Sequence, residues 1–206
     1  MRSRSLAAVV LIAGALVLAG CDALPSETPA PTASESSAAP APSETSSATP
    51  SPTAEAGFTL PGACDALYSP TMLQELNSTN PPLNDPGITI YATENVAALE
   101  ILNSGIPTLR CSWGAAGAPG LVTNVSVVSA DQSTALMDAF AGSGMACEEL
   151  GAGTVCRIEQ QTIDRNDNIV TIGETHYLQG DGWVATHWVD FSPDGYTEDI
   201  VATLWP

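Results

Sequence analysis

A break in composition at Phe58 constrains this chain more than any other feature. From Asp22 to Gly57 it is almost entirely Ser, Thr, Pro, Ala and Glu, in runs such as Pro25-Ser26-Glu27-Thr28-Pro29 and Pro42-Ser43-Glu44-Thr45, with no aromatic residue and Leu24 as the one large aliphatic. Such a segment cannot bury enough apolar surface to offset the entropy of ordering it, and its prolines favour extended polyproline II. It reads as a stalk, spanning on the order of 100 Å at full extension. Serine and threonine beside proline also suit O-glycosylation. What can fold is therefore confined to residues 58–206, enough for one domain that buries roughly two-thirds of its unfolded surface.

The stalk begins at Cys21, which closes the run Leu18-Ala19-Gly20-Cys21. Before it stand Arg2 and Arg4 and then an apolar stretch from Leu6 to Val17, too short to span a bilayer. This arrangement resembles a bacterial lipoprotein signal. The resemblance implies that residues 1–20 are cleaved and that Cys21 becomes the N-terminus carrying a diacylglyceryl group on its thiol. Two acyl chains on one residue, at about 0.8 kcal/mol per buried CH₂, give durable attachment. Residues 21–57 would then tether the domain to the outer face of the cytoplasmic membrane.

Charge narrows the partners. A chain beginning at Cys21 keeps Arg110, Arg157 and Arg165, has no lysine, and sets these three arginines against 23 acidic residues, a formal charge of −20. That surface repels phosphate backbones and anionic headgroups, which excludes nucleic acid as an expected partner and leaves basic partners or divalent cations.

Cys64, Cys111, Cys147 and Cys156 form an even set in a chain expected to be exported, where disulfides persist. Four cysteines allow three connectivities. The favoured one joins Cys147 to Cys156 around a short glycine-containing loop and Cys64 to Cys111, tying the first folded segment to a predicted strand; the larger loop contributes about 3–4 kcal/mol in the chain-entropy model. No C-x-x-C occurs, so a redox motif or zinc knuckle has little support.

Periodicity predicts helices from Ser69-Pro70 through Leu76, over Glu94–Leu102, over Asp131–Phe140 and from Ser192-Pro193 to Leu204. Strands are predicted at Thr108–Trp113, Leu121–Ser129 and around Val155–Thr162, followed by a hairpin pairing Ile169–Leu178 with Trp183–Phe191 about a turn at Gly180-Asp181. The expected fold is α+β: an antiparallel sheet of about five strands packed with three to four helices and held by two disulfides.

The order of lipoprotein-like signal, Ser/Thr/Pro stalk, Cys64-Asp65-Ala66-Leu67 opening the domain and Cys111-Ser112-Trp113 in a strand is similar to small lipoproteins of actinobacterial cell envelopes. Most of these have no assigned activity. The resemblance implies the Cys64–Cys111 pairing and hands over no catalytic residue.

Several constellations bear on chemistry. With a two-residue turn at Gly180-Asp181, Glu174 lies opposite His187 and His176 opposite Ala185, placing Glu174, His176 and His187 on one face, where two imidazoles and a carboxylate suit a divalent metal. A three-residue turn would move His187 to the other face. Asp164, Asn166 and Asn168 have the spacing that opens a calcium loop, but Ile169 stands where the turn wants glycine and Thr175 where a bidentate glutamate belongs. Gly142-Ser143-Gly144 lacks the frame of a nucleophile elbow. Glu148-Glu149 and Glu198-Asp199 are sequence neighbours whose side chains diverge. Trp183, Trp188, Phe191 and Trp205 concentrate aromatic area, with Trp183 and Trp188 facing opposite ways.

The expected function is a non-enzymatic, membrane-anchored binding or accessory module for a protein or envelope component, with no resident cofactor. Alternatives are a metal- or small-ligand-binding lipoprotein, or a hydrolase or metal-dependent enzyme using His176, His187 and Glu174.

Overall fold

A computed structural model describes residues 57–206. The expectations for the signal segment, for Cys21 and for most of the stalk lie outside the described residues. Within them stand four α-helices and six strands, α1 Pro70–Thr79, α2 Val96–Asn103, β1 Thr108–Trp113, β2 Gly120–Val127, α3 Ala130–Gly142, β3 Ala146–Leu150, β4 Gly153–Ile163, β5 Ile169–Gln179, β6 Gly182–Val189 and α4 Tyr196–Leu204, preceded by a 3₁₀ turn at Cys64–Leu67. The strands form one antiparallel sheet in the order β1-β2-β6-β5-β4-β3. The fold is α+β as expected, with both disulfides in the favoured pairing, Cys64–Cys111 and Cys147–Cys156.

The sixth strand is the difference from the expected five. β3 carries Cys147-Glu148-Glu149, is exposed along nearly its whole length and has no apolar alternation to betray it. It is held by pairing with β4 and by the disulfide between the directly opposed Cys147 and Cys156.

Helix starts follow local chemistry. Ser69 Oγ accepts from the Met72 amide at 3.2 Å, with Pro70 in the first turn. Asn95 caps α2 through the Ala98 amide, and Ser129 with Gln132 forms a reciprocal capping box on α3. The last helix begins at Tyr196, not at Ser192-Pro193, because Gly195 takes a left-handed φ of 70° and ends a separate turn over Pro193.

The sheet is covered on both sides. On one face Leu121, Val125, Val155, Tyr177 and Val184 pack with the 3₁₀ turn, α1 and α4. On the other, Val122, Cys156, Leu178, Trp183 and Ala185 pack with Ala98 of α2 and Leu136 and Phe140 of α3. Gly173 leaves room for the Trp188 ring to lie across β5, which a Cβ would block. The chain enters the domain at one end of the sheet, where the Phe58 amide donates to Asp181 at 2.7 Å and the Phe58 ring stacks on Trp205 at 4.6 Å.

Candidate functional site

The turn at Gly180-Asp181 has two residues, with Gly180 at φ 59°, and it fixes the register of β5 against β6. Glu174 therefore lies opposite His187 and His176 opposite Ala185, and the three polar side chains share the face covered by α2 and α3. The Glu174 carboxylate accepts three hydrogen bonds: Oε2 from Thr93 Oγ1 at 2.7 Å and His176 Nε2 at 3.0 Å, and Oε1 from the Glu94 amide. Burial pushes this carboxyl up, but the hydrogen bonds from His176, Thr93 and Glu94 outweigh it and hold it below its ordinary value. His176 is fully buried, and burial pushes its imidazole down against the pull of Glu174. Against an ionised carboxylate, which only accepts, Nε2 is the donor of this hydrogen bond. The ring lies flat on Phe140 at 4.0 Å.

His187 is buried beside this pair, its Nε2 3.9 Å from Glu94 Oε1, and neither of its ring nitrogens meets a hydrogen-bond partner among the described residues. The cavity it shares with Glu94, Ile158, Ile172 and Glu174 measures about 10 Å³, room for about one water. Sharing a face is not convergence: among the described residues, no three His, Cys, Asp or Glu side chains come together as a metal site. The geometry makes Glu174 an anchor. It fastens the segment Thr93-Glu94 ahead of α2 to the middle of the sheet.

The Asp164 loop also resolves into local structure. Its Oδ1 accepts from the Asn166 and Asn168 amides, both at 2.8 Å, and its Oδ2 from Asn168 Nδ2. These bonds hold the exposed carboxyl below its ordinary value. β5 starts at Ile169, so the later positions of a calcium loop are already in a strand. Ser143 ends α3 and donates to the Phe140 carbonyl. Glu148 and Glu198 both pair with Arg157, at 2.7 and 2.6 Å. Trp183 and Trp188 point to opposite faces, as their positions five apart on one strand require.

Three larger concavities remain, one of them, of about 680 Å³, at the chain-entry end beside Phe58, Asp181 and Trp205. Another of about 540 Å³ lies between the sheet and the start of α4, and its Arg157 is neutralised by Glu148 and Glu198. The third, of about 780 Å³, opens at the end of the sheet opposite Phe58, between the tip of the β4–β5 hairpin, the segment 87–90 and the loop 115–120. Its walls include Ile88, Ile90, Ile163, Val170, Ile172 and Val189, with Glu94, Asp164, Arg165 and Asp190 among its lining. The exposed large apolar side chains of the described residues are Ile163 and Ile169 at the hairpin tip, 65% and 70% exposed, together with Ile90, Tyr91 and Val96, and of these Ile90 and Ile163 line the groove.

This groove exists because β4 and β5 outrun their neighbours. β6 stops at Val189 opposite Ile172, and β3 reaches β4 only as far as Arg157. The apolar pair Ile163 and Ile169 flanking a polar turn was the available signal, but in the sequence it is indistinguishable from an ordinary strand end. Comparison with protein-family models, with curated proteins and with solved structures finds no match for this chain.

Proposed function

We propose that this chain is a lipid-anchored, extracytoplasmic binding module, held at the membrane through Cys21 and the stalk, whose domain engages an envelope protein at the groove beside the β4–β5 hairpin. One observation carries the reading. The chain enters beside Asp181 and Gly182 at the start of β6, whereas the groove is lined by Val189 at its end, about 23 Å away along the strand. A tether at one end and an exposed apolar surface at the other present that surface away from the point of attachment.

The sequence pattern before Cys21 supports the anchor, and no helix among the described residues is long and apolar enough to cross a membrane. The resemblance to actinobacterial envelope lipoproteins agrees with this placement. A His-dependent hydrolase lacks support, since His176 is sealed beneath Phe140 and His187 adjoins space for about one water.

The test places a photoreactive residue at Ile169, or at Gln74 on α1 as a control, in the full-length protein expressed in its own envelope. Ile169 is expected to yield one adduct of defined mass that Gln74 does not, and Cys21→Ser is expected to release the chain from the membrane fraction. No adduct from Ile169, or the same adducts from both positions, removes the groove as the binding surface. Retention of the Cys21→Ser protein in the membrane removes the anchor.

A further inference from the structure

Resting on the reading of this groove as the binding surface, we infer that its occupant is a cationic, extended polypeptide segment that inserts apolar side chains between the β4–β5 hairpin and the segment 87–90. The walls supply the apolar half of the argument. Ile163, Val170, Ile172 and Val189 line a cleft of about 780 Å³ together with Ile88 and Ile90, and Ile163 and Ile169, paired with each other at the hairpin tip, stand mostly in solvent where burial would be favourable.

Charge supplies the second half. Glu94, Asp164 and Asp190 border the cleft against a single Arg165. Five of the chain's 23 acidic residues precede residue 57, so the domain sets 18 against three arginines, a formal charge of −15. Such a field attracts a basic segment and repels other acidic surfaces. A second copy of this chain brings the same −15 and is disfavoured as occupant. An anionic lipid surface is disfavoured by the same charge and by the position of the groove, at the end of the sheet away from the tether.

Backbone supplies the third. β5 continues beyond Ile172 with no strand beside it on the β6 side, where Thr171 is met only by Asp190, through its amide and its side chain. Ile169, the next residue whose peptide groups point that way, is paired with Ile163 of β4 and has no residue opposite it on the β6 side. An extended segment lying there finds peptide groups to pair with as well as apolar walls.

The experiment titrates the mature lipoprotein, in non-ionic detergent, with three octapeptides: alternating Lys-Val, alternating Glu-Val and alternating Lys-Ser. The Lys-Val peptide is expected to bind one per chain, to weaken as salt rises, and to lose about tenfold or more in affinity in the Ile163→Ser/Ile169→Ser variant. Glu94→Gln is expected to weaken it less, and the other two peptides are expected to bind poorly. Equal binding of Lys-Val and Lys-Ser, or Lys-Val binding indifferent to the isoleucine replacements, overturns the inference by reducing it to diffuse charge attraction. Preference for Glu-Val overturns the charge argument. Sedimentation with phosphatidylglycerol vesicles that is lost in the isoleucine variant assigns the groove to lipid and overturns the inference. If no peptide binds while Ile169 still crosslinks one envelope protein, the partner chemistry is wrong and the binding surface stands; if both fail, both readings fall.

Discussion

The two faces of the sheet each bury a polar cluster, and the two are built on different chemistry. Beneath α1 and α4 the cluster is neutral: Tyr68 and Tyr196 share a hydrogen bond at 2.8 Å, Tyr196 continues to Thr123 and Thr123 to Thr186, and Trp113 Nε1 donates to Tyr68. Beneath α2 and α3 it is ionic: Glu174 binds His176 and the Thr93-Glu94 segment, while His187 and Nδ1 of His176 lack hydrogen-bond partners among the described residues. Hydroxyls donate and accept at once, so a chain of them closes on itself without charge. A carboxylate only accepts, and must be surrounded by donors that lose their partner if it goes. One face is therefore insulated from changes in pH near neutrality, and the other is exposed to them.

Each face also carries one disulfide, and reducing these separately gives the largest contrast. Cys64→Ala/Cys111→Ala frees a loop with sequence separation 47 beside the tyrosine cluster, and is expected to cost about 4 kcal/mol. Cys147→Ala/Cys156→Ala, with separation 9, is expected to cost about 3 kcal/mol; chemical denaturation of the two variants measures the difference.

Next in size, Glu174→Ala orphans Thr93, the Glu94 amide and His176 together. A loss of about 3 kcal/mol is expected, with faster amide exchange at Thr93–Asn95 than in the wild type. Exchange unchanged in that segment would show that Glu174 is not its anchor.

The two clusters are then expected to fail at opposite ends of the pH scale. Burial lowers the His176 imidazole from 6.5, so its contribution is complete above that value and is lost as pH falls. Glu174, held below 4.5, extends the loss further into acid as it protonates. On the other face burial pushes Tyr68 up to about 12 and raises Tyr196 well above 10. Their contribution is complete below pH 10 and is lost as pH rises towards 12. Unfolding free energy measured against pH should show both slopes, and His176→Phe should flatten only the acidic one.

Smaller still, Tyr68→Phe leaves Trp113 Nε1 without its acceptor and is expected to cost about 1–2 kcal/mol. At the bottom of the series, Ile163→Ser/Ile169→Ser replaces side chains already mostly in solvent and is expected to move stability by no more than about 0.5 kcal/mol. That separation matters for the groove, since loss of binding in this variant cannot then be ascribed to unfolding.

Much of this architecture was legible because local chemistry announces it. Ser69-Pro70 opened α1, Gly180-Asp181 made the hairpin turn, and the resulting register put Glu174 across from His187 as counted from the turn. β3 was invisible because an exposed edge strand needs no apolar alternation, and α4 began late because nothing in Ser192-Pro193 reveals that Gly195 adopts a left-handed conformation. Glu174, His176 and His187 share the face expected of them, without converging on one point. Thr93 and Glu94, some eighty residues earlier, occupy the carboxylate, and no strand pattern records that.

The sequence by itself therefore determined where folding starts, which residues alternate between the two faces and which turn sets their register, since composition, period and glycine act over a few residues. Only the tertiary structure decided what each buried polar group meets and which ends of the strands are left uncovered. Hydrogen-bond partners such as Thr93 arrive from distant segments, and the groove arises from a difference in length, with β5 at 11 residues beside β6 at 8. Neither the partner nor the difference is written at any one position in the chain.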